Sequence, residues 1–183
     1  MNPLKHLPWR KPAPKPVLAP VSPPLVAVSN PAALEAPVTN APKIKYLTIH
    51  CTATPEGRDN TAEEIKAWDI ARFGQPSYHW VIELQGDAVR HLEDEQRGAH
   101  VAKANTGNIG ISYVGGTETL NAGAKPKDTR TFMQKRTLKK LVLMYQAKYP
   151  GIIVRGHRDW PGTRKACPSF NVSDWLAAGM PIE

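Results

Sequence analysis

The sequence predicts a mixed α/β domain: one central mixed β-sheet of about five strands flanked by helices, behind a disordered Pro-rich N-terminal tail. Three observations carry this. Short β-branched segments alternate loosely with helical ones after residue 43. One pair of strand segments is joined by a tight turn, which adds an antiparallel hairpin. Eleven of the eighteen prolines fall in residues 1–43, so the chain divides into a tail or linker, 1–43, and a domain, 44–183. The total of 183 residues suits one domain of ordinary size.

Each element has its own signal. "KPAPKPVLAPVSPP" excludes helix interiors and central strands, because proline lacks the donor N–H and locks φ. It is read as extended and partly polyproline II. "KIKYLTIHC" puts Ile44, Tyr46 and Thr48 on one side and Leu47 and Ile49 on the other, a mostly buried strand ending at His50. "TAEEIKAWDIARFG" opens on Thr61 with Glu64 three residues on, a capping box, and closes on Gly74. Ile65, Trp68 and Arg72, or Ile65, Asp69 and Phe73, fall at helical spacing. "SYHWVIELQGDAVRHL" is two strands around Gln85-Gly86-Asp87. "NIGISYVGG" is a strand with glycines where backbones approach or turn. Residues 117–130 are a polar loop. "TFMQKRTLKKLVLMYQAKY" gathers Leu138, Leu141, Val142 and Tyr145 on one face, a helix against a sheet. "GIIVR" is a fifth strand and "SDWLAAG" a short closing helix.

Composition narrows the function classes. Hydrophobic residues at 41% and charged residues at 22% fit a soluble globular domain. No run of about 18 apolar residues exists, so no membrane span is expected. The apolar stretch Val17 to Val28 is cut by Pro20, Pro23 and Pro24, which is not the unbroken core of a signal peptide. The net charge of +8 suits an anionic partner. The tail carries five lysines and arginines against one glutamate but lacks dense Arg clusters with interleaved aromatics. A nucleic-acid partner is therefore not expected. Cys51 and Cys167 do not make a disulfide framework. Synthesis inside a cell fits, and there a Cys near His is more often a ligand or nucleophile.

The chemistry concentrates in "VRGHRDWPGTRKACPSF", Val154 to Phe170. Imidazole and thiolate both ligate Zn²⁺, and three protein ligands with one open position make a catalytic site. His157 and Cys167 supply two. The best third is His50 at a strand end, with His79 and His91 in the hairpin and His100 in a loop as alternatives. Cys51 faces the other side of its strand from His50 and reads as a small apolar residue. Asp159 reads as a loop-fixing carboxylate.

"TIHCTAT", "YHWVI", "HVAKANTGNIGISYVGG" and "GHRDWPGTRKACPSF" together resemble the zinc-dependent N-acetylmuramoyl-L-alanine amidases. That family includes phage lysozyme-type endolysins and peptidoglycan recognition proteins. The likeness runs from about Ile44 to Trp175 and leaves the tail outside. It implies one Zn²⁺ per chain on His50, His157 and Cys167, with Tyr78 and Lys165 as catalytic residues. It implies substrate contact at the cleft rim by His100 and Asn105. The implied reaction is hydrolysis of the amide between N-acetylmuramic acid and L-alanine of the stem peptide by zinc-activated water. The implied setting is a monomeric phage or prophage endolysin. It stays in the host bacterial cytoplasm until release and then acts on cell-wall peptidoglycan. A non-catalytic peptidoglycan-binding module and a basic nucleic-acid binder are the competing readings. The likeness departs at Ser169, where many relatives have glycine.

Overall fold

The computed structural model describes residues 43–118 and 124–183. The disordered tail expected over residues 1–43 lies outside the described residues, apart from Lys43. In chain order the elements begin with β1 (Tyr46–Cys51), β2 (Thr54–Pro55), α1 (Ala62–Phe73), β3 (Trp80–Ile82) and β4 (Ala88–Arg90). There follow β5 (Asn108–Tyr113), β6 (Gly116–Thr117), α2 (Phe132–Lys148), β7 (Ile153–Gly156) and α3 (Val172–Ala177). A five-stranded sheet runs β4-β3-β5-β1-β7, and β2 pairs with β6 in a separate two-stranded ladder. β1 lies parallel between β5 and β7, and β3 is parallel to β5 but antiparallel to β4. The five-stranded mixed sheet is the one the sequence predicts. Among the described residues no helix is long and apolar enough to cross a membrane.

The alternation of β1 sets the two sides of the domain. Leu47, Ile49 and Cys51 point into a core with Leu138, Leu141, Val142 and Tyr145 of α2. Thr48 and His50 point to the opposite side, the side of α1, whose Ala62 and Ile65 pack on Val81 and Val114. Both faces are covered, so β1 and β5 are buried nearly throughout, as parallel strands require.

Both long helices begin where local chemistry dictates. Thr61 and Glu64 form the predicted capping box, and Gly74 caps the other end in the left-handed conformation. Thr131 and Gln134 form a second box at α2. Buried Gln134 also donates through Nε2 to the carbonyl oxygens of Val114 and Ile82. The hairpin is shorter than its sequence suggests, with three residues per strand. Tyr78, His79 and His91 flank it instead of lying within it. His79 is fully buried. Its Nδ1 accepts from the Gly110 N–H, and its Nε2 donates to the Gln96 carbonyl, a structural role.

One buried carboxylate ties the hairpin and the loop after it to α2. Asp94, with its side chain 2% exposed, accepts from Arg90, Lys148 and the hydroxyls of Tyr145 and Tyr149. Burial pushes this carboxyl up, but the hydrogen bonds from Lys148, Tyr149 and Tyr145 outweigh it and hold the pKa below 3.8. A carboxylate depressed in the folded state stabilises fully above the ordinary aspartate pKa of about 4 and loses that contribution as pH falls through the folded value. Asp94→Asn should therefore lower unfolding free energy by about 2 kcal/mol at pH 7. The difference should shrink below pH of about 4, as read from urea titrations at both pH values.

Candidate active site

The C-terminal ends of β1 and β7 carry the site. Their parallel register pairs Ile49 with Gly156, so the next residue of each strand, His50 and His157, emerges side by side. Their ring centroids are 4.6 Å apart. Gly156 is needed at this point: a Cβ there would sit 2.9 Å from Pro168 Cδ and 3.1 Å from Asp159 Oδ2. Asp159 Oδ2 instead accepts from the Gly156 N–H at 2.7 Å, which fixes the single 3-10 turn of His157–Asp159.

The eleven residues from His157 to Cys167 then fold back on themselves. The Arg158 N–H donates to the Cys167 carbonyl at 2.8 Å, and its guanidinium donates to the Ala166 carbonyl. This clasp returns Cys167 to the strand end. Its Sγ lies 3.7 Å from His50 Nδ1 and accepts from the Cys51 N–H at 3.3 Å. One donor atom from each of His50, His157 and Cys167 lies within 4.8 Å of the others. Cys51 is 5% exposed and packs in the α2-side core.

A chain of hydrogen bonds sets the tautomer of His50. The Asn108 carbonyl can only accept, so His100 Nε2, 3.0 Å away, is the donor. His100 Nδ1 is then an acceptor and takes the proton of His50 Nε2 at 3.1 Å. The lone pair of His50 is left on Nδ1, facing Cys167. The ring of His100 lies flat over Gly110, where a Cβ would come within 2.9 Å of it. Asn105 Oδ1 accepts from the N–H groups of His100 and Val101 and holds the turn that presents the ring. The sequence places His100 and Asn105 at the cleft rim as substrate contacts. His100 borders the cleft, but it is 6% exposed and both its ring nitrogens are engaged. Asn105 is 8% exposed and turned into its own loop.

Burial and neighbouring charges hold the imidazoles of this cluster in their neutral form. Burial, then His100, His157 and Lys165, holds His50 well below its usual range. Burial and Lys165 push His157 down to about 4, and burial with His79 pushes His100 down to about 3. The imidazoles are neutral at neutral pH, the state in which they coordinate metals. The neighbouring Cys51 sulfur and burial push the Cys167 thiol up; a bound dication reverses that balance and deprotonates a thiol outright. Two neutral imidazoles and a thiol with ligand atoms this close fit the donor set of a Zn²⁺ ion, whose catalytic sites have three protein ligands.

His50 is buried behind His157 and Cys167, which line a cavity of about 290 Å³. Tyr78 borders it with its ring 5.2 Å from that of His50, and burial raises its phenol pKa above 10. Lys165 also borders the cavity and is exposed. The wall is α1, through Ile65, Trp68, Asp69, Arg72 and Phe73. Trp68 and Phe73 are 47% and 49% exposed. Sequence spacing placed them on a helix without marking them as a cleft wall. Their signal was excess: α1 has more large apolar residues than the two, Ala62 and Ile65, that it buries.

Residues 40–170 match the family described as N-acetylmuramoyl-L-alanine amidase. The chain belongs to that family. The amidase is 29% identical to the endolysin of Escherichia phage T7 over 69% of this chain and 82% of that protein. It is 28% identical to the endolysin of Klebsiella phage KP32 over 75% of this chain and 88% of that protein. Among solved structures, N-acetylmuramoyl-L-alanine amidase LysC from Clostridium intestinale superposes with a TM-score of 0.61. That match has 20% identity and covers 75% of this chain and 86% of that one. Drosophila PGRP-LB superposes at 0.58 with 18% identity, covering 75% and 81%. These two share the fold.

At Ser169, where the sequence departs from the glycine that the resemblance implies, the backbone takes a conformation that favours glycine. Ser169 has φ of 71°, a left-handed conformation that costs a non-glycine residue about 1–2 kcal/mol. Its hydroxyl offsets the strain by donating to the Gly116 carbonyl at 2.7 Å. Ser169→Gly removes both the strain and the bond, and should change stability by less than about 1 kcal/mol. Ser169→Ala keeps the strain and loses the bond, and should destabilise by about 1 kcal/mol in denaturant titration.

Proposed function

We propose that the cleft hydrolyses the amide between the lactyl carbonyl of N-acetylmuramic acid and L-alanine of the stem peptide, using one Zn²⁺ held by His50, His157 and Cys167. The observation that carries this is the convergence of three ligand atoms within 4.8 Å of one another, two of them, from His157 and Cys167, on residues that line the cleft. A Zn²⁺ in such a site supplies Lewis acidity and lowers the pKa of a bound water to about 7. The remaining work falls to the chain. The Tyr78 hydroxyl is a protonated donor beside the cluster and hydrogen-bonds the oxygen of the scissile carbonyl. The Lys165 ammonium, which also borders the cleft, stabilises negative charge developing on that oxygen. His100 keeps the His50 Nδ1 lone pair aimed at the metal, and Asn105 holds His100. Trp68 and Phe73 supply apolar surface for the glycan or peptide, and Arg72 a cation for its carboxylates.

The biological reading follows from the relatives. Four phage proteins that match the chain are endolysins, each with more than four-fifths of its length covered. The chain then acts as a monomeric endolysin, made in the host bacterial cytoplasm and directed at cell-wall peptidoglycan. Residues 44–183 form its catalytic domain and residues 1–43 a basic linker.

Purified protein on isolated peptidoglycan should release new L-alanine amino termini, and a chelator should stop the release. Binding of peptidoglycan without new termini would establish a recognition module instead. Tyr78→Phe should lower the rate about 10²–10³-fold with zinc content unchanged, whereas Cys167→Ser should lose both. His100→Ala should weaken zinc affinity about 10–100-fold in competition with a chromophoric chelator. Unchanged affinity would remove His100 from the metal's support.

A further inference from the structure

The side of the domain away from the cleft carries a feature that amide hydrolysis does not use. The seventeen residues of α2 include no acidic side chain. Its inward face, Leu138, Leu141, Val142 and Tyr145, is buried on the sheet. Its outward face displays Phe132, Met133, Leu143 and Met144 at 54%, 42%, 48% and 44% exposure. These are half of the large exposed hydrophobic residues among the described residues, so the pattern is a patch and not the scatter normal for a surface.

Two cations sit inside this patch. Phe132, Arg136, Lys140 and Leu143 follow one another at intervals of four, four and three, a continuous stripe on a helix. Met144 lies one turn beyond Lys140, and Met133 two turns before it. Arg136 and Lys140 are exposed, and neither has a carboxylate partner among the described residues. Lys135 and Lys139 are instead turned to the carbonyls of Glu183 and Gly179. They tie the helix to the chain's last residues and leave the stripe to the other two.

We propose that the outward face of α2 docks on an anionic phospholipid bilayer. Charge complementarity and the interleaving together favour this occupant. Arg136 and Lys140 meet lipid phosphates, while Phe132, Leu143 and the methionines between and beside them reach the acyl boundary. A polyanion such as nucleic acid would use the cations and leave four large apolar residues in water. Because α2 and His50 lie on opposite sides of the sheet, a domain seated this way keeps its cleft open and facing away from the lipid. The inference rests on α2 alone and is independent of the chemistry assigned to the cleft.

Co-sedimentation of the full chain with vesicles tests it. The protein should pellet with 3:1 phosphatidylcholine–phosphatidylglycerol vesicles and not with phosphatidylcholine alone. The doubly substituted Arg136→Glu/Lys140→Glu protein should bind the anionic vesicles about tenfold more weakly or worse. Phe132→Ser/Leu143→Ser should also weaken binding, and both variants should release amino termini from isolated peptidoglycan as wild type does. Three outcomes overturn the proposal: no binding of wild type to anionic vesicles, wild-type binding by both variants, or loss of DNA binding in the charge variant with vesicle binding intact. The second would move the contact to the basic residues 1–43.

Discussion

The site depends on the parallel pairing of β1 with β7. These strands are separated by about a hundred residues of sequence, and the register that matches Ile49 with Gly156 is what makes His50 and His157 neighbours. A slip of one residue would turn every side chain of β1 to the wrong side. His50 would enter the apolar core with α2, and Leu47 and Ile49 would face the cleft. The burial of Leu47 and Ile49 at 0% exposure therefore fixes the register and, through it, the site. Each fully buried side chain of this kind contributes roughly 1.5–3 kcal/mol, so core packing and ligand placement have a common energetic origin.

Around that pairing, each of the three converging side chains is held from behind. The Arg158–Cys167 and Arg158–Ala166 hydrogen bonds close the loop that returns the thiol. The carbonyl of Asn108 orients His100, and His100 orients His50. Asp94 pins the start of the loop that carries His100 against α2 through Tyr145, Lys148 and Tyr149. The cleft is thus a rigid floor under a wall, α1, that buries little of itself. Its aromatic residues remain available to a ligand because the helix spends only Ala62 and Ile65 on the core.

Much of this was legible in the sequence, and the limits have physical causes. Strand periods, the Thr61–Glu64 box and the apolar face of α2 are local signals, and local signals survive without a structure. The gathering of His50, His157 and Cys167 was legible through ordered motifs that resemble a known family; spacing alone left His79, His91 and His100 open. His100 as the partner of His50 could not be read, because that contact needs the register of β1 against β5 and the space over Gly110. The role of Ser169 was equally hidden, since φ is not written in a residue's identity. For Trp68 and Phe73 helical spacing says nothing of which face is buried, and here the helix borders a cleft.

The central claim is that two imidazoles and one thiolate from these three residues hold a single zinc ion with a position open to water. X-ray absorption at the zinc edge of the purified protein measures that shell directly. The expected shell is one sulfur at about 2.3 Å and two nitrogens with one further light atom at about 2.0–2.1 Å. A shell without sulfur, or with two or more sulfurs, would contradict it.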